Sequence, residues 1–266
     1  MDCVAVFEAP PPGEIRFQFS AAAAYRREIQ QCRLCRHFLS TCHAENSELY
    51  QGDYVTSNYS DEAGIRRNFE RIMNLDSHKS DNKGRVARVL AFASQYFEEC
   101  EKRRPHSILD VGSGLCVFLA EMKASGWDCT ALDPDPRSMR HAQRTVQVHA
   151  VCGNFMEVRD LGRFDVVTFN KVLEHVRDPL ALLVKARTHL AETGFVYVEV
   201  PDGEAARREG FEREEFFIDH LHVFSGPSLA MLATRAGFVV LELERLREPS
   251  GKYTLRAFLI PSPDVS

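Results

Sequence analysis

Apolar and polar positions follow two different patterns along this chain, and the change falls near His106. Before that residue, apolar side chains recur at helical spacing in two segments, 63–73 and 85–100. After it, short apolar runs alternate with helical stretches. The predicted strands are 107–111, 129–132, 150–152, 164–169, 195–200, 239–245 and 254–260. The predicted helices between them are 117–125, 137–146, 180–190 and 228–236.

This alternation of strands and helices predicts an α/β fold with a largely parallel sheet. The last two strands are separated only by a turn at Pro249-Ser250-Gly251, so they must pair antiparallel. The prolines at 10–12 predict a connector, and the segment 15–19 is a candidate strand. We therefore expect three parts, namely a small N-terminal region at 1–60, a helical cap at 61–104 and the main domain at 105–266.

Composition narrows the class of protein. The chain has 266 residues, 33 basic and 38 acidic, and its formal net charge is -5. This mild acidity argues against broad nucleic-acid binding. No window reaches the roughly 18 apolar residues of a membrane helix. The N-terminus has no basic residue before its apolar run, which is unlike a signal peptide. The eight cysteines are scattered, which is typical of reduced thiols in a cytoplasmic protein.

The most informative segment is Ile108–Leu115, where an apolar strand runs into Gly112 and Gly114 and then a helix. Glycine lets the backbone approach a ligand, and the helix offers its positive N-terminal end. A purely structural turn is the alternative. A dinucleotide fingerprint would place a third glycine where Val117 stands, so a pyrophosphate fits poorly.

Two acids indicate a different ligand. Asp110 stands at the end of the first predicted strand of the main domain, where a carboxylate would repel pyrophosphate but suits a cationic amine. Asp133 ends the next strand, where an acid can accept hydrogen bonds from ribose hydroxyls. An adenosine that carries an amino acid and no phosphate fits both acids.

These segments, in this order, resemble the motif series of class I S-adenosylmethionine-dependent methyltransferases. The stretches that carry the resemblance are Ile108–Leu115, Thr130–Pro134, Gly153–Phe155, Phe164–Val167 and Val172–Pro179. It covers about residues 106–260 and implies a Rossmann-like, seven-stranded, mostly parallel sheet with an antiparallel last strand. It also implies the cofactor S-adenosylmethionine. The cofactor-binding residues so implied are Asp110, Gly112, Ser113, Gly114, Asp133, Pro134, Asn154, Phe155 and Asn170.

Methyl transfer to many acceptors needs a base, and two histidine-containing segments follow predicted strands. Glu174-His175 follows the fourth strand, and Asp219-His220-Leu221-His222 follows the fifth. In an extended segment His220 and His222 would point the same way. We expect His220 to be the base with Asp219 orienting it. A metal-binding histidine pair and a merely bracing role are the alternatives, and Glu174 and His175 are expected mainly to shape the pocket.

A narrower resemblance concerns sugar C-methyltransferases. Asp219-His220 followed by Val223-Phe224-Ser225 is similar to their Glu-His and aromatic-Phe-Ser segment. Those enzymes carry an N-terminal zinc domain, and Cys32-x-x-Cys35 looks like its second half. A structural zinc would then be held by Cys32 and Cys35 with Cys3, and Cys42, His43 or His37 would complete the site, although the first knuckle lacks its second cysteine. A metal-free ribbon held by its core is the alternative. No counterpart of their C-terminal domain is expected.

The resemblance also directs attention to three tyrosines, Tyr50, Tyr54 and Tyr59. They would contact a polar acceptor, or else pack the small domain. The resulting hypothesis is methylation, on carbon or oxygen, of a small molecule such as a sugar or a secondary metabolite, without nucleic-acid or membrane partners. The competing hypotheses are a nicotinamide-dependent oxidoreductase and a non-catalytic partner subunit that keeps the cofactor pocket. The sequence leaves the oligomeric state open.

Overall fold

A computed structural model of the chain describes residues 1–14, 25–42, 62–97 and 105–263. The candidate strand at 15–19 and the three tyrosines at 50, 54 and 59 lie outside these ranges. No helix within the described ranges is both long enough and apolar enough to cross a membrane.

The larger sheet has seven strands, as the alternating pattern predicts. Its strands are β4 (Ser107–Val111), β5 (Asp128–Asp133), β6 (His149–Cys152), β7 (Phe164–Asn170), β8 (Leu190–Pro201), β10 (Phe238–Arg247) and β11 (Tyr253–Pro261). The order across the sheet is β10-β11-β8-β7-β4-β5-β6. β4 pairs parallel with both β5 and β7, whereas β10 and β11 pair antiparallel. The predicted α/β fold class is therefore confirmed.

The helices start and stop where local chemistry allows. They are α1 (Glu62–Met73), α2 (Asp81–Tyr96), α3 (Val117–Ala124), α4 (Pro136–His141), α5 (Pro179–Thr188), α6 (Gly203–Ala206) and α7 (Gly226–Arg235). The Ser80 side chain accepts a hydrogen bond from the Lys83 amide and caps α2. Ser225 and Ser228 form a reciprocal capping box at the start of α7.

Several predicted boundaries shift, and the helix expected over 85–100 runs from Asp81 to Tyr96. The helix expected over 137–146 is α4 followed by a π-helical turn at Ala142–Val146. The helix expected over 180–190 ends at Thr188, and β8 begins at Leu190, which is five residues before the expected strand.

A smaller antiparallel sheet contains strands that the apolar pattern did not reveal. Its order is β1-β2-β3-β9, with β1 (Asp2–Phe7), β2 (Arg27–Gln31), β3 (Phe38–Cys42) and β9 (His222–Val223). In β2 the buried positions include Arg27 and Gln31 besides Ile29, so polar residues on the inner face hide the two-residue period.

The chain divides into two compact units. The central unit comprises Ser60–Asn170 and Val184–Val198, and the flanking unit comprises Met1–Tyr59, Lys171–Leu183 and Glu199–Ser266. Buried strand residues such as Leu109 and Val167 form the core of the central unit. A cluster in the flanking unit is built from Ile29, Phe38, Ala206, Phe216 and Val223. The sequence boundaries at 60 and 104 stay predictions.

In the flanking unit the cluster requires glycine at one position. A β-carbon on Gly203 would lie 2.7 Å from Cδ2 of Phe38 and 2.9 Å from Cγ1 of Val223. These distances are too short for carbon atoms, so the close packing of α6 on the small sheet depends on the absence of a side chain there.

Candidate active site

The glycine loop lies at the carboxyl end of β4, where the order of strands reverses between β5 and β7. Ligands of open α/β sheets bind at such a point. Gly112 and Gly114 have φ angles of 72° and 48°, a left-handed region that suits glycine. The Gly112 and Ser113 amides donate to the Leu132 carbonyl at 2.8 and 3.2 Å, so the end of β5 holds the loop in place.

Asp110 is buried at the end of β4. Its Oδ1 accepts hydrogen bonds from Oγ1 of Thr168 at 2.6 Å and from Nδ2 of Asn170 at 2.8 Å. Burial raises the pKa of Asp110 to about 6, while these two hydrogen bonds lower it. Near neutral pH the carboxylate is therefore mostly ionised, with a fixed orientation and little surrounding water.

Asp133, at the end of β5, has both carboxylate oxygens engaged by backbone amides. Oδ2 accepts from the Gly114 amide at 3.0 Å, and Oδ1 accepts from the Asp135 amide at 2.8 Å. Each carboxylate oxygen has a second lone pair, so these bonds leave acceptor capacity for hydroxyl groups. Burial raises the pKa of Asp133. The adjacent Pro134 is exposed.

The remaining predicted cofactor residues differ in how exposed their side chains are. Asn154 is exposed, and its Oδ1 accepts from the Met156 amide at 3.0 Å in a local turn. Phe155 is a core residue, only 3% exposed, with its ring edge-on to Phe169. A flanking role at adenine thus stays a prediction for both, and burial makes Phe155 the less accessible of the two. Asn170 lies at the end of β7 and contacts Asp110.

The group at the β4–β7 switch point suits a cationic ligand. Oδ1 of Asn170 is buried and has no hydrogen-bond partner among the described residues. Together with the Asp110 carboxylate it offers acceptor atoms on a negatively charged site. An ammonium group, which only donates, satisfies such atoms, whereas a phosphate would be repelled. The residues present therefore fit the amino-acid end of S-adenosylmethionine.

A second group of predicted residues lies in the flanking unit. Glu174 and His175 follow the end of β7 by four and five residues, and His220 lies in the loop before β9. One carboxylate oxygen of Glu174 and one ring nitrogen of each histidine lie within 4.8 Å of one another. The two imidazole rings meet edge to face, with their centroids 4.8 Å apart. We call these three residues the histidine cluster.

Backbone carbonyls orient both rings of the cluster. Nδ1 of His220 lies 2.8 Å from the Glu215 carbonyl oxygen, and Nδ1 of His175 lies 2.8 Å from the Asp219 carbonyl oxygen. A carbonyl only accepts, so both Nδ1 atoms carry the proton and the neutral rings have their lone pair on Nε2. Burial lowers the pKa of His175, which favours its neutral form.

Asp219 stands beside this cluster without a short contact from its carboxylate. Oδ2 lies 3.9 Å from Nε2 of His220 and 3.8 Å from Nδ1 of His175. The group that orients the His220 ring is the Glu215 carbonyl, and not the Asp219 carboxylate that the sequence predicted. Asp219 contributes its backbone carbonyl to His175 and places a negative charge near both rings.

The expectation that His220 and His222 point the same way is wrong. The His220 amide donates to the Phe217 carbonyl at 2.9 Å in a turn, and only His222 enters the extended strand β9. Nδ1 of His222 lies 3.0 Å from Nε2 of His37, whose Nδ1 lies 3.2 Å from Oγ of Ser228. Burial lowers the pKa of His37 to about 3 and also lowers that of His222. This placement indicates a structural pair.

The four proposed zinc ligands do not form one cluster, although the side chains of Cys32 and Cys35 contact each other. Within the described ranges, no group of three or more metal-ligating atoms includes Cys3, Cys32, Cys35 or Cys42. Gln31, next to Cys32, pairs with Phe38, whereas Cys42 pairs with Arg27 at the other end of the β2–β3 ladder. Four residues of strand separate the two ends by about 13 Å. Cys42 therefore cannot join the Cys32-x-x-Cys35 turn in one site, and zinc binding by the remaining cysteines stays a prediction.

Sequence reasoning missed two polar residues that position others. Thr168 holds Asp110, and the only signal in the sequence is a lone hydroxyl in an apolar strand. His37 holds His222, and nothing in the spacing indicated the contact, because the two residues are 185 positions apart.

The segment that contains the glycine loop and its two acids lies within the match to a known domain. A family model described as a methyltransferase domain matches residues 78–243, more than half of the chain. The chain therefore belongs to this methyltransferase-domain family. The family match disfavours the nicotinamide-dependent alternative. None of the curated proteins matches the sequence significantly.

Solved structures with the same fold include three methyltransferases. Burkholderia thailandensis 1,6-didemethyltoxoflavin-N1-methyltransferase, with its substrate and S-adenosylhomocysteine bound, aligns over 96% of this chain and 100% of its own at 19% identity and a TM-score of 0.61. Magnesium protoporphyrin IX methyltransferase from Synechocystis PCC 6803 aligns over 79% and 100%, at 11% identity and a TM-score of 0.56. A glycopeptide N-methyltransferase in complex with S-adenosylmethionine aligns over 66% of this chain and 93% of its own, at 14% identity and a TM-score of 0.51. At such identities the likeness shows the fold.

Proposed function

We propose that the protein transfers the methyl group of S-adenosylmethionine to a small-molecule acceptor. The observation that carries this proposal is the pair of buried acids at the glycine loop, each at the carboxyl end of its strand. The family membership supports methyl transfer, and the structural neighbours include enzymes with S-adenosylmethionine or its demethylated product bound.

On the donor side, each residue has a defined task. Asp110, fixed by Thr168 and Asn170, would bind the cofactor's ammonium group. Asp133 would accept the ribose hydroxyls with its remaining lone pairs, and Asn154 with Phe155 would flank the adenine. The bound cofactor supplies an electrophilic methyl group on a sulfonium. The protein contributes by holding that methyl group in line with the acceptor atom, so that proximity and orientation lower the barrier.

On the acceptor side, His220 is the proposed base. Its Nδ1 donates to the Glu215 carbonyl, so Nε2 holds the lone pair that would take the acceptor proton. The nearby negative charge of Asp219 would stabilise the imidazolium that forms. His175 and Glu174 would line the site of this proton transfer. His222 would contribute only through its contact with His37, which holds the adjoining strand in place.

The acceptor class is proposed more narrowly from the sequence resemblance to sugar C-methyltransferases, which implies a keto-sugar. The neighbours act on a toxoflavin precursor, a porphyrin and a glycopeptide, which favours a ring-bearing metabolite in general. Tyr50, Tyr54 and Tyr59 are proposed acceptor contacts.

The donor half of the proposal is tested by calorimetry with S-adenosylmethionine and S-adenosylhomocysteine. We expect saturable binding of both. Absence of binding by a folded sample rejects the assignment. Incubation with labelled S-adenosylmethionine and a metabolite extract then tests catalysis, because a non-catalytic subunit would bind the cofactor without forming a methylated product.

The base is tested by His220→Ala. We expect loss of turnover with unchanged cofactor affinity. His149→Ala, at an exposed position in β6, is the matched control and should retain turnover. Unchanged turnover in His220→Ala rejects the role of base.

A further inference from the structure

We propose that the histidine cluster, Glu174, His175 and His220, binds a divalent transition-metal ion. Two imidazoles and one carboxylate form the ligand set, and their three ligand atoms lie within 4.8 Å of one another. Ligand atoms around one ion at bonds of about 2.0–2.2 Å are separated by about 3–4 Å. A small side-chain adjustment thus brings the three atoms onto a common ion.

An independent observation points to a cation here. Glu174 is completely buried, and neither of its carboxylate oxygens has a hydrogen-bond partner within the described part of the chain. Burying a carboxylate without hydrogen bonds is strongly unfavourable, and more so when the group is ionised. A divalent ion supplies both the charge and the coordination that this carboxylate lacks.

The two imidazoles are also held as metal ligands usually are. A ligating histidine commonly donates its other ring N–H to a carbonyl or carboxylate, which fixes the tautomer and the ring orientation. His175 donates from Nδ1 to the Asp219 carbonyl, and His220 donates from Nδ1 to the Glu215 carbonyl. In both neutral rings the lone pair therefore lies on Nε2, which is the atom that would coordinate an ion.

The donor set selects the kind of ion. Imidazole favours zinc, iron, cobalt or nickel over magnesium or calcium, which prefer oxygen ligands alone. Two histidines and one glutamate leave at least one coordination position open, as in catalytic zinc sites. Zn²⁺ or another divalent transition-metal ion that accepts imidazole ligands is therefore the expected occupant. The cluster is distinct from the cysteine site considered above, because it contains no sulfur.

Metal binding and the base role use the same lone pair of His220. With the site empty, Nε2 takes the acceptor proton. With an ion bound, the cation would lower the pKa of a coordinated acceptor hydroxyl, and the released proton would pass to solvent water and not to His220. This catalytic extension rests on the proposed function, whereas the binding itself does not.

The test uses the full chain with Cys32→Ser and Cys35→Ser, which removes the thiolates most prone to bind zinc. After treatment with a chelator and dialysis, Zn²⁺ is titrated by calorimetry, and Co²⁺ is followed by its visible absorption. We expect one ion per chain. Glu174→Gln and His220→Gln should each weaken Zn²⁺ binding by at least about tenfold.

Glu192→Gln and His149→Gln repeat the substitutions at exposed positions and should bind as before. Circular dichroism checks the fold, and His220, in a loop and partly exposed, is the variant least prone to misfold. Failure of the Cys-to-Ser protein to bind either metal overturns the proposal, as does binding that neither cluster variant weakens. Since no S-adenosylmethionine is present, the result is independent of the methyl-transfer proposal.

Discussion

The glycine-loop site of the central unit and the histidine cluster of the flanking unit both bury carboxylates, but they satisfy them differently. Asp110 and Asp133 each accept hydrogen bonds from groups on neighbouring strands or loops. Glu174 accepts none among the described residues. The first site is thus organised before any ligand arrives, whereas the second buries a carboxyl group whose two oxygens lack hydrogen-bond partners among the described residues.

The difference indicates what each region is suited to bind. The regular parallel strands β4 and β5 fix the positions of Asp110 and Asp133 at the glycine loop. A ligand therefore needs only to replace water at carboxylate oxygens that are already oriented. The histidine cluster depends on a loop, and that loop is held from the small sheet. Arg27, fully buried in β2, pairs with Glu14 and donates to the Phe216 carbonyl, and Glu14 accepts from the Ile218 amide at 2.8 Å.

The largest effect is expected when this support is removed. Arg27→Met should lower the free energy of unfolding by about 3 kcal/mol, because it leaves the buried Glu14 carboxylate without its cationic partner. Urea denaturation measures the change. Arg26→Met removes the neighbouring exposed ion pair with Glu28 and should leave the free energy of unfolding nearly unchanged, because solvent screens exposed charges. Equal losses in the two variants would contradict the importance of the buried pair.

The glycine-loop site should respond through affinity instead. Asp110→Ala should weaken S-adenosylmethionine binding at least about a hundredfold, because the ammonium group loses its buried counter-charge. Calorimetry measures the affinity. Asp128→Ala, at the exposed opposite end of β5, provides the control and should bind normally. Normal binding by Asp110→Ala would mean that the two acids are not the cofactor site.

The same carboxylate predicts a pH dependence. Burial raises the pKa of Asp110 to about 6, with Thr168, Asn170 and the charge of Arg85 lowering it and that of Asp133 raising it. The ionised form binds the cation, so affinity should fall as pH drops through 6. Between pH 6.5 and 5.0 the ionised fraction falls about eightfold, while an amine with a pKa near 8 stays protonated. A flat affinity over this range would exclude Asp110 as the counter-ion.

The smallest effect concerns Glu174. In protein freed of metal, Glu174→Gln should raise the free energy of unfolding by about 1 kcal/mol, because burial penalises the charged carboxylate and raises its pKa. Thermal unfolding at neutral pH measures the change, and Glu192→Gln should leave it unchanged. Zn²⁺ should reverse the sign, since only the wild-type site then gains stability from the ion. Destabilisation by Glu174→Gln without metal would show that its carboxylate is compensated after all.

Sequence alone determined the sheet and the glycine loop. Strands such as 107–111 and 164–169 are short apolar runs that the local pattern reveals. An acid followed by glycines at a strand end is likewise a local pattern, and it indicates a ligand-binding loop. Alternation of strands and helices then dictated the α/β fold and the antiparallel last pair.

Only the tertiary structure decided the small sheet and the histidine cluster. Strand β2 buries Arg27 and Gln31 on its inner face, which removes the hydrophobic alternation that marks a strand. Glu174 and His220 are 46 positions apart in the sequence, and a turn separates His220 from His222 where an extended segment was expected. Such contacts depend on where loops end in space. Hydrophobic periodicity reports which face of an element is buried, and it contains no information about which distant polar groups meet there.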